Sequence, residues 1–140
     1  MSSTCDPRRS CVISIFADRL SRGEPLKVNG DGRQVRDFVY IGDVVRCFQA
    51  AMAATDRGAK LFNVCTGRAT SILELAETLA EIHDVAPCLT PAPPRTGDVR
   101  TSIGDPRAAA QALGVTCETT LAEGLRQTVR RRSRALAQSA

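Results

Sequence analysis

The sequence is poor in aromatic residues and in histidine, and it contains no tryptophan. Aromatic residues make up 4% of the 140 positions, with one tyrosine and one histidine. The six cysteines form no Cys-x-x-Cys pair, and one histidine cannot complete a common zinc-ligand set. No signal segment opens the chain, and no apolar run approaches membrane length. We therefore expect a cytoplasmic protein with no metal site and no membrane partner, in which Cys47 and Cys65 are core residues.

The scarcity of aromatic residues leaves aliphatic side chains to fill the core. Hydrophobic residues make up 43% of the chain, which is enough for one domain of this length. The net charge is +4, and only two of the 19 basic residues are lysines. Arginine suits contacts with anions, but no nucleic-acid motif accompanies it, and the basic run 126–134 is typical of a solvated helix face. The sequence therefore predicts no nucleic-acid partner.

Helical patterns alternate with short apolar segments along the chain. The pattern at 11–21 fits a strand or a helix, and we favour a helix because Gly23 makes a good stop. The capping boxes Ser71-x-x-Glu74 and Thr120-x-x-Glu123 each predict a helix start. Further helices are expected from Asp43 and after Asp105, and strands at Leu26–Val28, Val35–Ile41, Leu61–Val64 and within Ala86–Pro94. We expect an α/β fold, a small mixed layer of short strands with about five helices.

The same patterns predict how some of these elements are arranged. Gly30 and Gly32 favour a tight turn between two strands, so a hairpin-like excursion is expected there. The helix from Asp43 is expected to bury one face, made of Val44, Phe48, Ala51 and Met52. We expect a loose N-terminal segment at 1–10, a folded domain at 11–133 and a basic, disordered tail at 134–140.

An arginine within an apolar strand is the first candidate for a binding role. Arg36 is rarely buried alone, and its planar guanidinium fits phosphate oxygens, although an ion pair with Asp37 or Asp43 is also compatible with the sequence. The segment resembles the Arg-Asp-Phe motif of the extended short-chain dehydrogenase/reductases, the NAD-dependent nucleotide-sugar epimerases and dehydratases. The matching residues are Arg36-Asp37-Phe38-Val39-Tyr40-Ile41-Gly42-Asp43-Val44.

Further segments carry the same resemblance. Pro94-Arg95-Thr96-Gly97-Asp98 is similar to the family's Pro-Arg-x-Gly-Asp loop, and the segments around Phe62–Gly67 and Ser71–Leu75 are similar to its strand, turn and helix. The resemblance implies that the substrate domain of such a protein is present. It further implies that Arg36 and Arg95 grip the diphosphate of a nucleotide-diphospho-sugar, of the kind that UDP-glucose 4-epimerase-like members bind.

The remaining site residues come from the same resemblance. Lys27, Val28 and Asn29 align with the segment that flanks the nucleobase, and Asp37 and Phe38 belong to the arginine motif. Asn29 stands where relatives often carry an aromatic residue, so it can donate hydrogen bonds but cannot stack on the base. An edge strand for Lys27 and Val28 is an equally compatible interpretation. A loop arginine paired with Asp98 is the alternative for Arg95.

The family's reaction needs features that the sequence does not show. Its NAD site uses a glycine-rich turn, whereas here only Gly30-x-Gly32 is present, with Val35 where a third glycine belongs. Its catalytic base is a Tyr-x-x-x-Lys pair, whereas Tyr40 is followed four residues later by Val44. We therefore expect the substrate-binding part of the architecture alone, without a catalytic residue or cofactor of its own and inactive by itself, although NAD is expected in the intact family.

Several alternatives remain at this point. The same domain occurs in nucleotide-sugar dehydratases and decarboxylases, because the residues that separate these reactions lie in the other half. A non-catalytic remnant or a protein-interaction module is the alternative from a different class. The expected partners are a UDP-sugar and either a missing NAD-binding half or a second copy of the chain.

Overall fold

A computed structural model describes residues 11–54 and 58–138, so the predicted loose segment 1–10 lies outside it. The described part is a mixed α/β structure of five helices and five short strands, which confirms the predicted fold class. In chain order the elements are α1 (Val12–Ser21), β1 (Leu26–Asn29), β2 (Val35–Arg36), α2 (Ile41–Ala53), β3 (Thr70–Ser71), α3 (Ile72–Ile82), β4 (Leu89–Ala92), β5 (Thr101–Ser102), α4 (Arg107–Leu113) and α5 (Leu121–Gln138).

The strands form two small sheets, and the predicted hairpin is wrong. β1 pairs in parallel with β4, while β2 lies between antiparallel β3 and parallel β5. The glycine turn after β1 therefore carries the chain from one sheet to the other. Gly30 and Gly32 both have positive φ, at 64° and 69°. The predicted strand Val35–Ile41 keeps ladder pairing only at its first two residues, because Ile41 already begins α2.

The core lies where α1, α3 and α5 meet β1. α3 buries one apolar face as its spacing predicts, and Ser71 Oγ accepts a hydrogen bond from the Glu74 amide at 3.1 Å. The second capping box is also formed, since Thr120 Oγ1 accepts from the Glu123 amide at 3.3 Å. α5 runs to Gln138, past the predicted boundary at residue 133. The largest fully buried side chains of this core are Phe16, Leu26, Leu75 and Leu79.

Helix α2 buries a different face from the one that its sequence predicts. Phe48 is 65% exposed and Met52 is 85% exposed, whereas Asp43 and Cys47 are buried. The reason is electrostatic, because the Asp43 carboxylate accepts two hydrogen bonds from Thr119, at 2.8 Å from Oγ1 and 3.1 Å from the amide. These bonds fix the polar side of the helix against the loop before α5.

The segment that follows α2 is not a strand in the structure. Residues 61–64 pair with no strand in the part of the chain that is described, and Leu61 is 94% exposed. Cys65 at its end is buried, as predicted, and so is Cys47. Among the described helices, none is both long enough and apolar enough to cross a membrane.

Candidate functional site

A cavity of about 400 Å³ opens between α1, β1, β2 and the loop that follows β4. This volume falls in the range of small-molecule sites. Four of the seven predicted site residues line it although they are far apart in the sequence: Lys27 and Asn29 from β1, Arg36 from β2, and Arg95 from the loop. The structure thus brings the two predicted arginines to one cavity. Its remaining lining residues are Val12, Ile15, Phe16, Arg19, Gln34, Ile72, Ala92 and Asp98.

Arg36 is held in place by its neighbours. Its Nη1 donates to the carbonyl oxygens of Val35 at 2.8 Å and Val99 at 2.6 Å, and its Nη2 donates to Asp98 Oδ1 at 2.6 Å. The expected partners, Asp37 and Asp43, are therefore not the ones that it uses. A guanidinium has five N–H donors, so two donors of Arg36 have no partner among the described residues. These two can donate to the oxygens of a bound anion.

Arg95 and Lys27 supply cavity charges that nothing in the described chain neutralises. Neither side chain makes a hydrogen bond or an ion pair with the described residues. The predicted alternative for Arg95, a pair with Asp98, is not formed, because the Asp98 carboxylate pairs with Arg36. With Arg19 included, four cationic residues and one carboxylate line the described cavity. The cavity therefore favours an anion of more than one charge.

A second cavity of about 610 Å³ adjoins the first. The two share five lining residues, namely Asn29, Gln34, Ala92, Arg95 and Asp98. Arg100 and Asp31 line the second cavity and form a two-point ion pair, at 2.9 and 2.8 Å. The hydrogen bonds from Arg100 lower the pKa of the Asp31 carboxyl. The two cavities together form a groove, and each has a volume in the range of small-molecule sites.

Three predicted site residues lie elsewhere in the structure. Val28 is buried in the core and Phe38 packs against that core. Neither lines the first cavity, which we call the arginine cavity because Arg19, Arg36 and Arg95 line it. The Asp37 carboxylate ties two loops together, accepting from the Thr66 amide and hydroxyl at 2.9 and 2.6 Å and from the Gly67 amide at 2.8 Å. Burial raises the pKa of Asp37, but these hydrogen bonds outweigh burial and lower the pKa overall.

Sequence reasoning missed several residues of the groove. Arg19, Gln34 and Arg100 lie outside the two recognised motifs, and only the fold brings them to the cavities. Asp98 could have been identified from the sequence, because it belongs to the Pro-Arg-x-Gly-Asp loop. Its pairing with Arg36 could not be predicted, since the two residues are 62 positions apart.

The glycine turn packs closely against the core. A Cβ at Gly32 would lie 2.7 Å from side-chain atoms of both Leu73 and Val28, so the missing side chain makes room for core packing. The turn also leads into a two-residue strand. Tyr40 donates its hydroxyl to Gln127 Oε1 at 2.6 Å, which is a contact between α5 and the start of α2.

The known proteins that resemble this chain match it over only part of their own length. The model of the NAD dependent epimerase/dehydratase family matches residues 3–65. The UDP-glucose 4-epimerase of Mycolicibacterium smegmatis is 38% identical over 118 residues, which are 84% of this chain and 37% of that enzyme. The chain therefore spans about two fifths of the length of this relative.

Solved structures agree in fold and in coverage. The UDP-glucose 4-epimerase of Thermotoga maritima, solved with UDP-glucose, is 41% identical with a TM-score of 0.79, over 91% of this chain and 40% of that one. MoeE5, solved with UDP-glucose and NAD, is 38% identical with a TM-score of 0.82, over 90% of this chain and 42% of that one.

Proposed function

The chain belongs to the NAD-dependent epimerase/dehydratase family, and from this membership we propose that it binds the nucleoside diphosphate of a UDP-sugar in its arginine cavity. One observation carries the proposal. Arg36 and Arg95, 59 positions apart in the sequence, line one cavity, and the Arg95 guanidinium has no partner among the described residues. A diphosphate is a multiply charged anion that two guanidinium groups can bind together.

The two arginines have different roles in this proposal. Arg36 is rigid, because two carbonyl oxygens and Asp98 hold its guanidinium. It therefore presents its two remaining donors without losing much side-chain entropy on binding. Arg95 lies on a loop that turns at Gly97, where φ is 80°, so a loop and not a strand carries the second guanidinium. Lys27 adds a third positive charge from β1.

The rest of the ligand extends along the groove. Asn29 lines both cavities, and its amide group can hydrogen-bond to a nucleobase that lies beside β1. Val28 has a packing role, and Asp37 and Phe38 hold the fold around the site. In this proposal they affect binding only through stability. The nucleotide contacts are then Lys27, Asn29, Arg36 and Arg95.

The proposed reaction belongs to a larger architecture than this chain. In a complete member, we propose NAD-dependent 4-epimerisation of the bound sugar, and the contribution of this chain is to bind and orient the diphosphate. NAD would supply the hydride acceptor and donor. No residue of this chain is assigned a proton or hydride transfer step. A dehydratase or decarboxylase would use the same diphosphate contacts, so the binding proposal is common to all three.

Calorimetric titration of the whole chain with UDP-glucose tests the proposal. We expect saturable binding that weakens about 10- to 100-fold in Arg95→Ala, because a hydrogen bond to a charged group contributes about 1.5–3 kcal/mol. Arg36→Ala should show a loss of at least that size. Arg107→Ala is the matched control, because it removes an exposed arginine paired with Asp105 away from the cavity. Unchanged affinity in Arg95→Ala would contradict the proposal, as would no binding to the unaltered chain at millimolar UDP-glucose.

A further inference from the structure

Two buried cysteines meet where the inner side of α2 faces the loop before α5. Cys47 lies on α2, and Cys117 lies in the loop, 70 positions later in the sequence. Cys47 is 3% exposed and Cys117 is 8% exposed, and neither forms a disulfide. Their side chains are close enough for the two thiols to interact with each other. The fold therefore places a pair of free thiols side by side, which is the arrangement that a disulfide bond requires.

Polar contacts fix the loop against α2 on both sides of its cysteine. Before it, the Thr116 carbonyl oxygen accepts a hydrogen bond from Arg46 Nη2 at 3.5 Å. After it, Thr119 donates two hydrogen bonds to the Asp43 carboxylate, at 2.8 and 3.1 Å. Asp43 and Cys47 are four residues apart, so they lie on the same side of α2, one turn from each other. These contacts therefore hold the loop cysteine beside Cys47.

The surroundings of the pair disfavour the thiolate form. Burial raises the pKa of the Cys117 thiol to about 11, and Cys47 and the Asp43 carboxylate contribute to the shift. At neutral pH this thiol is therefore protonated, so the reduced pair gains no stability from a thiolate. A thiol of high pKa is also a poor leaving group, so a disulfide formed here resists reduction by a small thiol. We therefore expect slow oxidation and a long-lived disulfide.

We propose that Cys47 and Cys117 are a site of reversible disulfide formation, oxidised by a hydroperoxide. Hydrogen peroxide is little larger than water, so a small opening of the loop admits it to the buried pair. One thiolate attacks a peroxide oxygen, the O–O bond breaks, and the hydroxide that leaves takes up the thiol proton, which gives a sulfenic acid and water. The second thiol attacks the sulfenic sulfur, the S–O bond breaks, and a second water leaves with the remaining proton.

The disulfide joins α2 to the loop before α5, away from the groove. The two sulfurs lose two electrons in forming it, and the peroxide is reduced to water. A dithiol returns the pair to thiols by exchange and is itself oxidised to a disulfide. Neither cysteine lines either cavity of the groove. The inference is therefore independent of the proposed function.

Peroxide treatment of the whole folded chain, followed by peptide mass spectrometry, tests the site. The remaining thiols are blocked with a maleimide under denaturing conditions, and the digest is searched for a cross-link between the Cys47 and Cys117 peptides. We expect this cross-link to be the main disulfide among the six cysteines, and dithiothreitol to abolish it. Cys65→Ala is the matched control, because it removes another buried thiol and should leave the cross-link yield within about twofold. The same treatment in concentrated urea should lose this selectivity, because the fold selects the pair.

The melting temperature gives a second readout. The disulfide closes a long segment and restricts the unfolded chain, so oxidation should raise the melting temperature of the unaltered chain by several degrees. It should not raise that of Cys47→Ala or Cys117→Ala. The cross-link is mapped in the unaltered chain, so that result does not depend on whether the variants fold. Absence of the cross-link after the exposed Cys11 and Cys88 have been fully oxidised would overturn the proposal, as would a main disulfide through Cys65.

Discussion

Replacing Asp37 with alanine removes the carboxylate that joins three segments of the chain. It accepts from the Thr66 amide, the Thr66 hydroxyl and the Gly67 amide at 2.9, 2.6 and 2.8 Å, and more weakly from the Gly104 amide at 3.4 Å. Each hydrogen bond to a charged acceptor contributes about 1.5–3 kcal/mol, but water replaces part of this at a half-exposed site. We expect Asp37→Ala to lower the free energy of unfolding by about 3 kcal/mol, and Asp37→Asn by about 1–2 kcal/mol.

The pH dependence of the free energy of unfolding follows from the direction in which the pKa of Asp37 is shifted. The folded-state pKa of Asp37 lies below its ordinary value of 3.8. Its ionised form therefore stabilises the fold above that value, and this stabilisation is lost as the pH falls through 3.8 towards the folded pKa. Urea denaturation at pH 7 and at pH 3 should show the gap between the unaltered chain and Asp37→Asn narrowing at low pH.

The control and the refuting result are both specific. Asp31→Asn, the control, removes an exposed carboxylate that pairs with Arg100 and accepts from the Arg33 amide at 3.0 Å, and it should change stability much less because both contacts are exposed to water. The affinity of folded Asp37→Asn for UDP-glucose should stay within about twofold of the unaltered chain, because the carboxylate is turned to the loops. A stability loss of under about 1 kcal/mol for Asp37→Ala would refute this account of the carboxylate.

Three further predictions concern the scaffold, each measured by urea denaturation at pH 7. Gly32→Ala should lower the free energy of unfolding by about 2–4 kcal/mol, because the positive φ strains an alanine and its Cβ would lie 2.7 Å from core side chains. Gly114→Ala, with a similar φ and open space, should lower it by only about 1 kcal/mol, and equal losses would contradict the packing argument. Asp43→Ala should cost about 3–5 kcal/mol, because it leaves two Thr119 donors and a cation without their buried acceptor, and a loss below 1 kcal/mol would contradict that role. Ser71→Ala should cost about 1 kcal/mol through the lost N-cap, and a loss near zero would mean that water replaces the cap.

Local patterns were enough to predict the helices and the fold class. Both capping boxes start helices at the expected residues, and the spacing in α3 identifies its buried face, because these features depend on neighbours within one turn. Gly114, directly after α4, has the left-handed conformation that is common where a helix ends, with φ of 65°. The local sequence is therefore sufficient to predict features that depend only on contacts within one element.

Two of the wrong predictions involve contacts between distant segments. β1 pairs with a strand about 60 residues away rather than with the next one along the chain, so nothing local distinguished a hairpin from two sheets. The buried face of α2 is set by Thr119, 76 residues from Asp43, and not by its own apolar spacing. Of the four residues on the predicted face, Phe48, Ala51 and Met52 are exposed, and Val44 is only partly buried.

The candidate site was predictable only in part, for the same reason. Two short motifs pointed to Arg36 and Arg95, because each motif is continuous in the sequence. The contribution of Arg19, Gln34 and Arg100 needed the fold, as did the pairing of Asp98 with Arg36. Asp37 was predicted to be a site residue, but it lines neither cavity. It belongs to the motif by position, yet its carboxylate is engaged by loop amides.

A double-mutant cycle with UDP tests most directly whether the two guanidinium groups bind one diphosphate. Calorimetry would compare the unaltered chain, Arg36→Ala, Arg95→Ala and the variant with both changes. Residues that contact the same group are coupled, so the double variant should lose at least about 0.5 kcal/mol less than the sum of the single losses. Additive losses, or a loss from only one of the two arginines, would contradict a shared diphosphate site.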